Sequence, residues 1–249
     1  MSIHDEARIG FGQGAAAYER GRPGYPAPAT RWLFEQLGLG PGRTVLDVGA
    51  GTGKLTAELA GSGANVVAVE PVPAMRAVLE RAVPVARALD GTAEALPLDG
   101  ESADAIAVAQ AFHWFDAPRA LAEFYRVLRP RGRLALIWNR RRLEEPLHRA
   151  ISQIIEPYRG DTPSHQADAW RAPLASSPLF APAAELEVPS EQVLEVEGVV
   201  DRVGSTSFVA ALPDDRREEV LARVRALAER SGPSVRLGYV TEVFVYERV

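Results

Sequence analysis

A chain of 249 residues, 47% apolar and 24% charged, can bury one substantial core, so a single globular domain spanning 1–249 is the expectation. With no cysteine it forms no disulfide and offers no thiolate nucleophile or metal ligand; its four histidines (His4, His113, His148, His165) show no ligand spacing, so no metal is expected. A net charge of −5 argues against a nucleic-acid surface, and no apolar run is long enough to span a bilayer. The opening MSIHDEARIG has no basic-then-apolar leader, so a cytoplasmic protein without nucleic-acid or membrane partners is expected.

In chain order, residues 1–30 place Phe11, Tyr18, Arg22, Pro23, Tyr25 and Pro26 among glycines, with a short helix at Ala15 to Arg20 that Arg22-Pro23 ends. Thr30 to Leu37 repeats apolar residues at helical spacing and stops at Gly38. Thr44 to Val48 has the length and β-branched content of a buried parallel strand. It runs into Gly49, Gly51 and Gly53, after which Leu55 and Leu59 mark a helix. Strand, glycine turn and helix form the first unit of a doubly wound α/β domain, and the missing Cβ atoms let backbone approach a ligand closely.

The spacing of that turn discriminates among ligands. A P-loop fails twice, at Val48 in place of the first glycine and at Leu55 in place of the metal-binding hydroxyl. A dinucleotide fingerprint fails once, at Lys54, where close helix packing calls for glycine or alanine. That leaves a nicotinamide-dependent oxidoreductase as a weaker alternative.

Asn65 to Val69 is the second strand and ends in Glu70, about twenty residues past the glycines, where an open α/β fold needs a carboxylate for ribose hydroxyls. Pro73 opens a helix carrying Met75, Val78, Leu79 and Ala82 as core. Val85 to Leu89 is a third strand and Asp104 to Ala109 a fourth, with Asp116 as N-cap of the helix through Leu121, Phe124 and Leu128. Pro130-Arg131-Gly132 turns into a fifth strand, Leu134 to Trp138. Leu147 to Tyr158 is amphipathic, Arg159 to Pro182 reads as a loop, and Glu185 to Val188 alternates as a strand. Asp214 to Arg230 is a helix with acids first and Arg230 last, and Val235 to Tyr246 is a final strand.

The run VLDVGAGTGKL (Val45 to Leu55), with an acid two residues before the first of three alternating glycines, resembles the nucleotide loop of the class I S-adenosylmethionine-dependent methyltransferases. The likeness continues through AQAFHWFD and RVLRP. It lies nearest the small-molecule group that includes trans-aconitate methyltransferase. It implies a Rossmann-like seven-stranded sheet, mostly parallel with the last strand reversed, plus an N-terminal lid helix. The lid would span 1–30, a cofactor-binding core 31–139 and an acceptor-side half 140–249.

The implied cofactor is S-adenosylmethionine, leaving as S-adenosylhomocysteine after a methyl group passes to an oxygen or nitrogen of a small molecule. A protein that binds the cofactor without turnover is the alternative. Cofactor contacts are expected at Asp47, Gly49, Ala50, Gly51, Gly53, Glu70, Pro71, Thr92, Ala93 and Gln110, and from the lid at Tyr18 and Arg22. Glycine backbone would receive the carboxylate of the methionyl tail, Asp47 would steady the loop or attract the ammonium, and Thr92-Ala93 would read the adenine, although many members carry Asp where Thr92 stands. Phe112, His113, Trp114, Trp138 and Arg140 are the acceptor-side candidates. His113 is the candidate base, Arg140 the candidate anchor for an acidic acceptor, and hydrophobic core is the competing role for Phe112, Trp114 and Trp138.

Overall fold

The computed structural model describes residues 21–164 and 168–249, which form two compact units. The sheet unit comprises Gly24–Arg140, Pro163–Val188 and Thr241–Val249; the helical unit comprises Arg141–Thr162 and Pro189–Val240, with residues 21–23.

In chain order the elements are α1 (Ala27–Leu37), β1 (Thr44–Val48), α2 (Lys54–Ala60), β2 (Asn65–Val69), α3 (Pro73–Ala82), β3 (Arg87–Leu89), β4 (Ala103–Ala109), α4 (Ala117–Val127), β5 (Leu128–Arg141), α5 (Pro146–Ile155), α6 (Arg171–Ser176), β6 (Phe180–Leu194), α7 (Val196–Gly204), α8 (Ser207–Ala210), α9 (Asp214–Arg230) and β7 (Val235–Arg248). The seven strands form one sheet in the order β3-β2-β1-β4-β5-β7-β6. β1 to β5 pair in parallel with one another and the last strand is reversed, the Rossmann-like arrangement expected from the sequence.

Both faces of this sheet are covered, and alternate residues of each strand divide between them. Leu46, Val48, Val67, Ile106, Val108, Leu134 and Leu136 pack with Leu121, Phe124 and Val127 of α4. Val45, Val66, Ala105, Ala107, Ala135 and Ile137 pack with Leu33 and Leu37 of α1 and with Leu55 and Leu59 of α2. Burial on both faces explains why the strands read as continuous apolar runs rather than alternating ones. The helical unit has its own core, in which Ile151, Val199, Val203, Val220, Val224 and Tyr239 meet.

Elements carrying strong periodicity or caps lie where the sequence puts them: β1, β2 and α9 match to the residue, and the Asp116 side chain accepts from Arg119 N at 3.4 Å. Several stretches differ, among them α7 and α8, which the sequence reading did not place. The expected loop from Arg159 to Pro182 contains α6, and the expected strand at Glu185 extends to Phe180–Leu194.

β5 also starts earlier than expected, at Leu128, and carries the Pro130-Arg131-Gly132 bend within it, opposite a register shift between Ala103 and Ala105. Arg131 there has φ +64°, a left-handed conformation that costs a Cβ-bearing residue about 1–2 kcal/mol. A Cβ on neighbouring Gly132 would stand 2.8 Å from the Arg129 carbonyl oxygen and 2.9 Å from Leu128 Cδ2, so that glycine is fixed by crowding. Arg131 is exposed. Arg131→Gly is therefore expected to stabilise the protein by roughly 0.5–1 kcal/mol in urea unfolding; unchanged or reduced stability would contradict strain at this residue.

Candidate active site

The site is assembled at the carboxyl ends of β1, β2, β3 and β4, where the parallel ladder continues one residue past each strand. Gly49 N donates to the Val69 carbonyl at 2.9 Å, Glu70 N to that of Leu89 at 3.1 Å, and Gln110 N to that of Ile137 at 2.9 Å. These bonds draw the strand tips into one edge. Gln110 takes φ +56°, an uncommon conformation for a non-glycine residue, as the chain leaves β4 for the 3₁₀ turn Phe112–Trp114.

The three glycines of the first turn all have positive φ, at +70°, +59° and +92° for Gly49, Gly51 and Gly53, but different surroundings require them. A Cβ on Gly49 would stand 2.9 Å from Ala111 Cβ, and one on Gly53 would stand 3.0 Å from Leu79 Cγ, so these two let neighbouring segments pack. Among the described residues, a Cβ on Gly51 would meet nothing closer than Met75 Sδ at 3.9 Å. Gly51 therefore presents a backbone face that no described side chain crowds.

The amides of this turn are engaged by the protein itself. Gly49 N and Ala50 N both donate to the Val69 carbonyl, at 2.9 and 3.2 Å, and Gly51 N donates to Glu70 Oε2 at 2.8 Å. The amides of Gly49, Ala50 and Gly51 thus have protein partners, and the turn also offers a surface without Cβ atoms.

Glu70 is buried, and its second oxygen accepts from Val72 N at 2.8 Å. An ionised carboxylate has about four acceptor positions, so two remain. Burial pushes the Glu70 pKa up, opposed by the two backbone N–H groups and by Arg76. Arg76 donates from Nη1 to the Glu70 carbonyl at 2.6 Å and to Asp90 Oδ1 at 3.1 Å, tying the end of β2 to the loop after β3. Sequence reasoning missed Arg76. Its only signal was a cation one turn into the helix after the acid.

Asp47 lies beneath the turn, fully buried. Its Oδ2 accepts from the Thr56 hydroxyl at 2.6 Å, whereas Oδ1 is buried with no hydrogen-bond partner among the described residues. The loops after β3 and β4 are joined through Glu94 Oε1, which accepts from Asp116 N at 3.0 Å. Thr92 is exposed and Ala93 buried in a small turn closed by Ala95 N on the Thr92 carbonyl at 3.2 Å.

The remaining candidates scatter. His113 is half-buried with its ring 5.4 Å from Trp114. Phe112 and Trp138 are each 1% exposed and belong to the main apolar cluster, so the packing supports the core role for both. Pro71 is exposed beside Glu70. Arg140 pairs with the buried Glu242 at 2.7 Å, so a structural carboxylate already holds the proposed acceptor anchor. Arg22 donates to the Ser205 hydroxyl at 3.2 Å and the Ser205 carbonyl at 2.9 Å, both within the helical unit. Tyr18, and with it most of the expected lid, lies outside the described residues.

Comparison with known proteins decides the family. A methyltransferase-domain family model matches residues 46–136. A protein of Mycobacterium tuberculosis named as an uncharacterized methyltransferase is 41% identical over 240 residues, covering 94% of this chain and 93% of its own. The chain belongs to the class I S-adenosylmethionine-dependent methyltransferases. A Schizosaccharomyces pombe methyltransferase-like protein is 34% identical over 244 residues, 96% and 95% of the two chains. The solved structure of a putative type II methyltransferase from Anaeromyxobacter dehalogenans superposes with a TM-score of 0.65 at 26% identity, covering 90% of this chain and 97% of that one.

Burial lifts the Asp47 carboxyl to a pKa of about 7, against the pull of the Thr56 hydroxyl and with an added push from the Glu70 charge. A carboxyl whose folded pKa lies above its unfolded one costs nothing while both states are protonated. The cost grows as pH rises from about 4 to about 7 and is level beyond. Asp47→Asn is therefore expected to gain stability over the parent chain across that window, by a few kcal/mol at most. A difference in unfolding free energy that stays flat from pH 4 to pH 8 would contradict the buried-acid assignment.

Proposed function

We propose that this methyltransferase moves a methyl group from S-adenosylmethionine to an oxygen or nitrogen of a small molecule, chiefly by alignment and exclusion of water. When bound, the cofactor supplies a methyl group on a positively charged sulfur, and an in-line displacement asks little covalent chemistry of the protein. The observation that carries the cofactor assignment is the bare face of Gly51 beside a carboxylate with acceptor capacity to spare.

Glu70 binds the ribose hydroxyls through its two remaining acceptor positions while its other two hold Gly51 N and Val72 N. Gly51 admits the methionyl tail along its open face. Asp47 offers the buried Oδ1 to the ammonium of that tail, the kind of partner a desolvated, orphaned carboxylate oxygen needs. The peptide at Ala93 reads the adenine edge, a contact that does not depend on the side chain at Thr92. Where the acceptor retains its proton at neutral pH, His113 is the base we assign, with Trp114 beside it as apolar wall.

Two substitutions test this arrangement by calorimetry. Gly51→Val is expected to abolish S-adenosylmethionine binding while the protein stays folded by circular dichroism, because its Cβ would enter the open space over the turn. Glu70→Ala is expected to weaken S-adenosylhomocysteine at least tenfold. Because Glu70 also props the turn, the decisive comparison is with the 2′-deoxy form of that ligand. The parent chain should prefer the ribose form and Glu70→Ala should bind both alike. Equal preference in the two proteins would refute the ribose contact.

A further inference from the structure

Asp47 lies in the middle of the sheet, where its neighbours in register are Ala68 of β2 and Ala107 of β4. Neither strand brings a charge to it at that level. It shares a sheet face with Val45, two residues before it, and α1 and α2 cover that face. α1 turns Leu33 and Leu37 inward and leaves Arg31 and Glu35 exposed. On α2, Lys54 and Glu58 stand two positions either side of Thr56, a spacing that turns them away from the face Thr56 occupies. The charge that acts on Asp47 is that of a second acid, Glu70 at the tip of β2.

Thr56 is fully buried, and its hydroxyl donates to Asp47 Oδ2 at 2.6 Å. Such a donor favours the ionised carboxyl, and the backbone N–H of the same residue acts in the same sense. Oδ1 is buried with no hydrogen-bond partner among the described residues. The two oxygens are therefore unequal. Oδ2 is held, and Oδ1 is the atom left to carry a proton or to meet a cation. Burial outweighs Thr56 and lifts the carboxyl to a pKa of about 7, so the free protein holds both forms near neutrality. An ammonium brought within about 4–6 Å would favour the ionised form and displace the proton to solvent.

We propose that Thr56 is a positioning residue: by holding Oδ2 it reserves Asp47 Oδ1 for the ammonium of the methionyl tail, and cofactor binding in mildly acidic solution therefore expels a proton from this carboxyl. The ligand ammonium keeps its own hydrogens, and the carboxyl proton passes to solvent. The proposal rests on the cofactor contacts given under Proposed function. The free carboxyl is protonated below about pH 7 and ionised above it, so affinity for a ligand with the tail should rise with pH up to that point and level off beyond.

The test is calorimetry on the full chain in buffers of different ionisation enthalpy, at pH 6 and pH 8.5, with two ligands. S-Adenosylhomocysteine carries the amino-acid tail; 5′-methylthioadenosine keeps the nucleoside and lacks the tail. The first is expected to release roughly one proton at pH 6 and almost none at pH 8.5, and the second to release none at either. Both ligands carry the ribose, so a proton released through Glu70 would appear with both.

Thr56→Val keeps the shape of the side chain and removes the donor. It should move the levelling-off of S-adenosylhomocysteine affinity to higher pH and weaken that ligand roughly threefold or more at pH 6, with less effect at pH 8.5 and none on methylthioadenosine. Thr56→Ser should restore the parent profile, and Thr56→Ala carries the same expectation as Thr56→Val should the latter not fold. Asp47→Asn should bind S-adenosylhomocysteine without releasing a proton. Binding of S-adenosylhomocysteine with no proton released at pH 6, release that persists with methylthioadenosine or in Asp47→Asn, or a pH profile unchanged by loss of the Thr56 hydroxyl overturns the proposal and leaves the cofactor reading standing. Binding of neither ligand overturns both.

Discussion

The carboxylate of Glu70 is the constraint on which the cofactor edge depends. It lies buried at the tip of β2, where it accepts the amide of Gly51 across from β1 and the amide of Val72 at the start of α3. An ionised acceptor of two backbone N–H groups holds two loops with charge-assisted bonds worth roughly 1.5–3 kcal/mol each. One side chain therefore ties the glycine turn to the start of α3, and the proposed function gives its remaining acceptor positions to the ribose. Arg76 braces the arrangement from behind through the Glu70 carbonyl.

Beneath it, the structure places a second acid, Asp47, in surroundings that favour its neutral form. Two buried acids near one another are costly in the free protein, and a cationic ligand group would reverse that cost. The glycine turn and the two acids thus form one device. In the proposed function, the glycines keep side chains off the ligand's approach and Asp47 meets the ammonium, while Glu70 already holds the turn through Gly51 N.

Much of this was legible in the sequence because short, regular patterns carried it. β1 with its glycine turn, the acid at the end of β2, the Asp116 cap and α9 each depend on contacts within a few residues, where periodicity and spacing speak directly. Burial of both strand faces made the parallel strands visible as apolar runs. What was not legible depends on distant partners. Nothing local to Arg140 announces Glu242, about a hundred residues away. The split among the glycines is of the same kind, since it turns on Ala111 and Leu79 from other elements. The α6 helix was hidden because Arg171–Ser176 is only six residues long and contains a proline, too short for helical periodicity to register.

A crystal structure of the full chain with S-adenosylhomocysteine tests the central claim most directly. The account predicts both ribose hydroxyls within hydrogen-bond distance of the Glu70 carboxylate, with the amino-acid tail lying against the bare face of Gly51 and its ammonium near Asp47. A ligand whose ribose makes no contact with Glu70, or whose tail avoids Gly51, would contradict it.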